Sequence, residues 1–198
     1  ARLVAMQDTI PLAHAWGGGE VAVADGLRFV VPVRSAHAGA SSRYFDRQRG
    51  ITWYHWMVDQ QMDIYGIPVA GTVKDAPYLL DGLLEQETHH RPKELITDTG
   101  GYSDIVFGFF RLLGYRFSPR LADLGDARFW RMNRKTDYGI LNDLARHKTK
   151  NDLIAGNWDD MLRATGSLQM STVKASELIK SLHRAGRAST LGRAIGEL

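Results

Sequence analysis

Apolar residues fall on every second position over 21–33: Val21, Val23, Leu27, Phe29, Val31 and Val33 share one parity. That two-residue period predicts a strand, which Asp25 and Gly26 interrupt. Residues 34–50 are rich in Ser, Gly, Ala and Arg and predict a mobile basic loop. Residues 51–58 are aromatic and β-branched, a second strand. Asp59, Gln60 and Gln61 then form a turn into a third strand over 64–73. Three consecutive strands with short links predict an antiparallel meander.

The period then lengthens. Asp75 can cap a helix with Pro77 in its first turn, and Leu79, Leu80, Leu83 and Leu84 form its buried stripe. Residues 94–98 read as a short strand. Ser103 can cap a second helix, with Ile105, Val106, Phe109, Phe110, Leu112 and Leu113 turned inward and Gly114 at its end. A fifth strand over 115–121 carries Pro119, which points to an edge position. The order strand-strand-strand-helix-strand-helix-strand predicts an α/β fold with a mixed five-stranded sheet over 1–121. Helical patterns at 140–147, 152–164 and 171–183 predict a helical part over 122–198.

Composition narrows the function classes. The 198 residues include no cysteine, which excludes disulfides and thiolate zinc sites. A formal charge of +3 is compatible with a polyanionic partner. No run of about 18 apolar residues occurs, so no membrane span is expected. The first residues carry neither an initiator Met nor a signal-peptide pattern, and the sequence stops at Gly196-Glu197-Leu198 without a tail. Both ends are expected to be cuts through a longer protein.

Two acids carry the candidate chemistry. Asp25 stands inside an apolar strand pattern, where a carboxylate is costly unless it is paired or holds a metal. Asp98 closes the short strand Leu95-Ile96-Thr97. If the first and fourth strands are neighbours, the two carboxylates meet at one sheet edge, and a divalent cation would relieve their repulsion. The competing reading is structural: Asp25-Gly26 also suits a hairpin and Asp98-Thr99-Gly100-Gly101 a plain loop. Gly17-Gly18-Gly19 is followed by no Gly-Lys-Ser/Thr and reads as a flexible lead-in rather than a phosphate loop. His89-His90, after a helix and beside Arg91-Pro92, reads as a solvated helix end rather than a ligand pair. Trp53, Tyr54 and Trp56 could stack on bases, but alternate strand positions favour the core. The stretch 128–150 holds Arg128, Arg131, Arg134, Lys135, Arg146, Lys148 and Lys150 against Asp137 and Asp143, either a solvated face or a phosphate-contacting one.

A family resemblance runs through these same residues. Trp16-Gly17-Gly18-Gly19 followed by Ala24-Asp25-Gly26-Leu27-Arg28-Phe29 resembles a conserved segment of the Tn-3 family of replicative transposases. Thr72-Val73-Lys74-Asp75-Ala76 with Leu80-Asp81-Gly82-Leu83-Leu84 resembles the next block. Ile96-Thr97-Asp98-Thr99-Gly100-Gly101-Tyr102-Ser103-Asp104 resembles the block of the second aspartate. Phe107-Gly108, Leu112-Leu113-Gly114-Tyr115-Arg116-Phe117-Ser118-Pro119-Arg120-Leu121 and Asp123-Leu124-Gly125-Asp126 continue it. The match covers most of the chain in the right order; Ala22-Val23-Ala24, where the family often has serines, departs mildly.

The resemblance implies a DDE-type polynucleotidyl transferase on a ribonuclease-H-like sheet, with Asp25 as first and Asp98 as second catalytic aspartate. It implies two Mg2+ (or Mn2+) ions in the full-length protein, with transposon ends and target DNA as partners. Arg116, Arg120, Arg128, Arg131, Arg134 and Lys135 are the candidate DNA contacts. Self-association, a bacterial cytoplasm with nucleoid DNA, and no membrane partner follow from the same resemblance. The family's third acid is a glutamate within asparagine-lysine-glycine-glutamate, and no such run occurs here. The final residues Gly192-Arg193-Ala194-Ile195-Gly196-Glu197-Leu198 resemble a segment that precedes it. Glu177 and Glu197 lack the right neighbours. The chain by itself is therefore expected to be inactive. The rival reading is a non-enzymatic DNA-binding module derived from such a core; a second is a scaffold that never meets nucleic acid.

Overall fold

The structure is a computed structural model that describes residues 2–71, 76–123, 130–133, 135–145, 147–184 and 186–198. Two short helices come first, α1 (Arg2–Gln7) and α2 (Pro11–Trp16). They precede β1 (Val21–Val30), a two-residue β2 (Gly39–Ala40) and α3 (Ser42–Phe45). The meander continues with β3 (Arg49–Val58) and β4 (Met62–Ala70). Next come α4 (Leu79–Glu85), β5 (Glu94–Thr97), α5 (Asp104–Leu113) and β6 (Arg116–Pro119).

These strands make one mixed sheet in the order β4, β3, β1, β5, β6, with β2 also paired to β3. β1, β3 and β4 run antiparallel, whereas β5 pairs in parallel with both β1 and β6. The predicted α/β class, the mixed sheet and the neighbouring first and fourth long strands are all present. Pro119 lies in β6 at the end of the sheet order, where a missing N–H costs no ladder bond.

Alternation decides which face is buried. Ala22, Ala24, Tyr54, Trp56 and Val58 are buried, while Val23, Leu27 and Trp53 between them are exposed. Trp56 anchors the inner face: its indole N–H donates to Leu79 O at 3.1 Å, and its ring meets Tyr54 edge-on at 4.9 Å. α4 can lie this close because residue 82 is glycine; a Cβ there would come within 2.1 Å of the Trp56 ring.

α5 follows its predicted stripe. Ile105, Val106, Phe109 and Phe110 are buried, each apolar side chain contributing about 1.5–3 kcal/mol of transfer free energy. It ends at Gly114, whose φ of 82° is left-handed and lets the Tyr115 N–H reach back to Phe110 O at 2.9 Å.

The later part comprises β7 (Trp130–Arg131), β8 (His147–Lys148), α6 (Asn151–Gly156), α7 (Trp158–Gln169) and α8 (Ala175–Leu182). A hairpin of β9 (His183–Arg184) and β10 (Arg187–Ala188) leads to α9 (Thr190–Gly196). Met161 and Leu168 of α7, Ile179 and Leu182 of α8, and Ala194 and Ile195 of α9 join the same core as the sheet.

Several expectations need correction. Residues 34–50 contain β2 and α3, and Phe45 is buried, because its ring packs against Gly50 and Gly71. The expected helix at 140–147 is a 3-10 segment, Gly139–Asp143, followed by β8; Arg131 donates to Asn142 O and Ala145 O and holds the chain out of an α-helix. The helix at 152–164 is two helices broken at Asn157, whose side chain donates to Leu153 O. α8 begins at Ala175, four residues later than predicted, and Ser171 has a positive φ of 53°. Gly17-Gly18-Gly19 is a packed turn: the Gly19 N–H donates to Asp59 Oδ1 at 2.7 Å. The proposed cap Asp75 lies outside the described residues.

Candidate active site

Asp25 belongs to β1 and Asp98 directly follows β5. The parallel register pairs Ala22 with Leu95, Val23 with Ile96 and Ala24 with Thr97. One step further along brings Asp25 abreast of Asp98. Ala22, Ala24, Leu95 and Thr97 are buried, whereas Val23 and Ile96 are exposed. By alternation, both acids belong to the outward face, and both are exposed.

Each carboxylate is oriented through one oxygen. Asp25 Oδ1 accepts the Gly26 N–H at 2.7 Å. Asp98 Oδ1 accepts the Gly100 N–H at 3.0 Å, capping the 3-10 turn Thr99–Gly101. Oxygen donors of this kind suit a hard cation such as magnesium, which keeps several waters and completes its shell with phosphate. The donor set therefore fits a divalent ion.

The cross-strand partner of Asp25 is His55, which motif reading missed. Its Nδ1 lies 2.7 Å from Asp63 Oδ1. Only knowledge of the β1–β3 register brings it to the acid's side.

The basic candidates are dispersed. Arg120 follows β6 and its N–H donates to Thr97 O at 2.8 Å, so it stands at the Asp98 end of the sheet. Arg116 stands at the opposite end, with its guanidinium 3.0 Å from Glu94 Oε2. Arg131 spends its guanidinium on Ala145 O and Asn142 Oδ1 at 2.7 and 2.8 Å. Lys135 is exposed in the loop before the 3-10 segment. Arg128 and Arg134 lie outside the described residues, as does Arg146. Glu197 accepts from Lys150 Nζ at 2.8 Å, and Glu177 sits in the first turn of α8.

A cavity of about 580 Å³ opens beside the Asp98 loop, lined in part by Gly100, Tyr102, Trp130, Lys180 and Arg193. Lys180 and Arg193 come from α8 and α9, and no local motif marks them.

His89-His90 is not a solvated helix end. His89 is exposed, but the His90 side chain is only 6% exposed and its Nε2 lies 3.2 Å from Asp8 Oδ1. Asp8 is 82 residues away in sequence, which is why the local pattern gave no sign of it.

The described residues hold no helix long and apolar enough to cross a membrane. The chain is 52% identical over its whole length to the transposase for transposon gamma-delta of Escherichia coli (strain K12). It is 45% identical over 98% of its length to the transposase for transposon Tn4556 of Streptomyces fradiae. To the transposase for transposon Tn1546 of Enterococcus faecium it is 34% identical over its whole length. The chain spans about a fifth of the length of these curated relatives, 20%, 22% and 20% respectively. No solved structure matches it. The model of the Tn3 transposase DDE domain matches residues 1–198, and the chain belongs to that family.

Proposed function

We propose that this chain is part of the catalytic domain of a DNA transposase, built on a ribonuclease-H-like sheet and serving metal-dependent strand cleavage and strand transfer in the full-length protein. The observation that carries the reading is the adjacency of β1 and β5 in parallel, which brings Asp25 and Asp98 abreast on the outward face. Two carboxylates at neighbouring positions on one solvent-facing surface are poor packing groups but good cation ligands.

Asp25 and Asp98 would hold the divalent metal, with the Gly26 and Gly100 N–H groups orienting one oxygen of each carboxylate. Mg2+ or Mn2+ bound there supplies Lewis acidity toward the phosphate oxygens of an in-line displacement. The outward face leaves room for a duplex backbone, and Arg120 offers a cation to phosphate at that end of the sheet. Lys135, which is exposed, is a further proposed DNA contact, and Arg128 and Arg134, outside the described residues, are proposed from the sequence alone. Arg116 stands at the far end of the sheet with its guanidinium 3.0 Å from Glu94 Oε2, and as a proposed DNA contact it would act away from the acid pair.

The test uses the full-length protein. Asp25→Asn and Asp98→Asn are each expected to lower strand cleavage and strand transfer about a hundredfold or more, while DNA affinity and thermal midpoint stay near the unsubstituted values. Unchanged cleavage by both variants would sink the catalytic reading and leave the DNA-binding module.

A further inference from the structure

Asp8, His89 and His90 stand together at the end of the sheet opposite to Asp25 and Asp98. Asp8 follows α1, and the two histidines precede β5, so the strand starts rather than the strand ends lie beside them. Their ligand atoms all fall within 4.8 Å of one another. His89 Nε2 is 2.8 Å from Asp8 Oδ2, and His90 Nε2 is 3.2 Å from Asp8 Oδ1. The two imidazoles are tilted by 35° with centroids 4.3 Å apart, so both Nε2 atoms face the same carboxylate.

A plain hydrogen-bonded pair does not account for the geometry. Asp8 Oδ2 is sealed from solvent and, despite its closeness to His89, makes no properly aligned hydrogen bond among the described residues. A buried carboxylate oxygen without an aligned donor is costly to keep. A cation seated between the three groups removes that cost. Zinc bonds to nitrogen and oxygen are about 2.0–2.2 Å, which sets neighbouring donors about 3 Å apart in a tetrahedral or octahedral shell. The two distances here bracket that spacing.

The surroundings hold the ligands in place. His90 is buried, and its carbonyl accepts from Gln86 Nε2 at 2.7 Å. The ring packs on Gly19, where a Cβ would lie 2.5 Å from His90 Nδ1, and Gly19 has a φ of +76°. His89, at 62% exposed, leaves the remaining coordination positions open to water.

We propose that Asp8, His89 and His90 form a binding site for a borderline divalent transition ion, Zn2+ in the first instance, distinct from the acid pair. Two imidazoles and one carboxylate select such an ion over magnesium, which prefers all-oxygen shells and dehydrates reluctantly. The ion ties the N-terminal helices, through Asp8, to the segment that feeds β5. Its role is to brace the sheet, and neither Asp25 nor Asp98 takes part, so the site stands or falls independently of the catalytic reading.

The experiment compares the full-length protein with its Asp8→Asn and His89→Ala variants, both dialysed against zinc in excess magnesium. His89 is exposed, so its truncation leaves the packing intact, and circular dichroism checks that both variants are folded. The unsubstituted protein is expected to retain one zinc equivalent more than either variant, with zinc affinity weakened about a hundredfold or more in each. Co2+ is expected to give visible ligand-field absorption that both variants lack, and a chelator to lower the thermal midpoint of the unsubstituted protein alone. Equal zinc content and equal Co2+ spectra in all three proteins would overturn the proposal.

Discussion

Asp81 shows how a single buried carboxylate is made useful. Its side chain lies under the start of α8 and Oδ1 accepts the Ser176 N–H at 2.9 Å. α8 has no side-chain cap of its own, since Lys174 occupies the capping position. Asp81, 95 residues away, does that work and places negative charge at the positive end of the helix. Burial raises its pKa above the ordinary carboxylate value, and the Ser176 hydrogen bonds and Lys174 only partly oppose the shift. The folded state therefore holds this proton more tightly than the unfolded chain. Its contribution is present below about pH 4 and is withdrawn as pH rises through the folded value. Asp81→Ala strands the Ser176 N–H and is expected to cost about 1–3 kcal/mol in denaturant unfolding at pH 7. Asp81→Asn keeps an acceptor and removes the buried charge. It is expected to unfold at the same or higher denaturant concentration at pH 7, with a flatter pH dependence just above pH 4. An Asn variant as weak as the Ala variant would refute the capping role.

Among the elements, α5 and α9 pack tightly at Gly108. A Cβ on Gly108 would lie 1.8 Å from Ile195 O, a backbone atom that cannot swing aside. Gly108→Ala is expected to push α9 off α5 and to cost about 1–3 kcal/mol or more, read from the thermal midpoint. Gly166 in α7 is the control, because nothing stands within 4 Å of its Cβ position. Gly166→Ala is expected to stabilise by about 0.5–1 kcal/mol through helix propensity and a less free unfolded chain. If both alanines act alike, the close packing of α5 on α9 is not what residue 108 is for. The same elements show what a sequence can and cannot reveal. β1, β3 and α5 were legible because one face of each is buried, so their period is written in the order of side chains. The break between α6 and α7 at Asn157 and the 3-10 segment before β8 were not. Both depend on hydrogen bonds, Asn157 to Leu153 O and Arg131 to Asn142 and Ala145, that periodicity does not encode. The site divides in the same way. Asp25 stands out as an acid inside an apolar strand and Asp98 as one that closes a short apolar strand. His55 and the Asp8–His90 contact arise from register and from a contact spanning 82 residues, which no local window contains.

At the scale of the whole molecule, the sheet gathers two acids and one chain supplies no third in the family's sequence context. Asn-Lys-Gly-Glu is absent from these 198 residues, Glu197 is engaged by Lys150, and the chain spans about a fifth of its curated relatives. Two carboxylates can hold a cation weakly, but a second ion needs a further anionic ligand to offset its dehydration. The proposed DNA association is a different matter, because it would rest on distributed cations such as Arg120 and Lys135 rather than on the acid pair. These 198 residues alone are therefore expected to bind DNA with an affinity that falls steeply as salt rises. With magnesium or manganese, they are expected to give no strand transfer where the full-length protein does. Both are read in one experiment, with labelled transposon-end duplex, a target plasmid and a salt series. Strand transfer by the isolated chain would mean that another acid within it completes the ion site. DNA affinity indifferent to salt would instead remove the phosphate-contacting surface and, with it, the role proposed for Arg120.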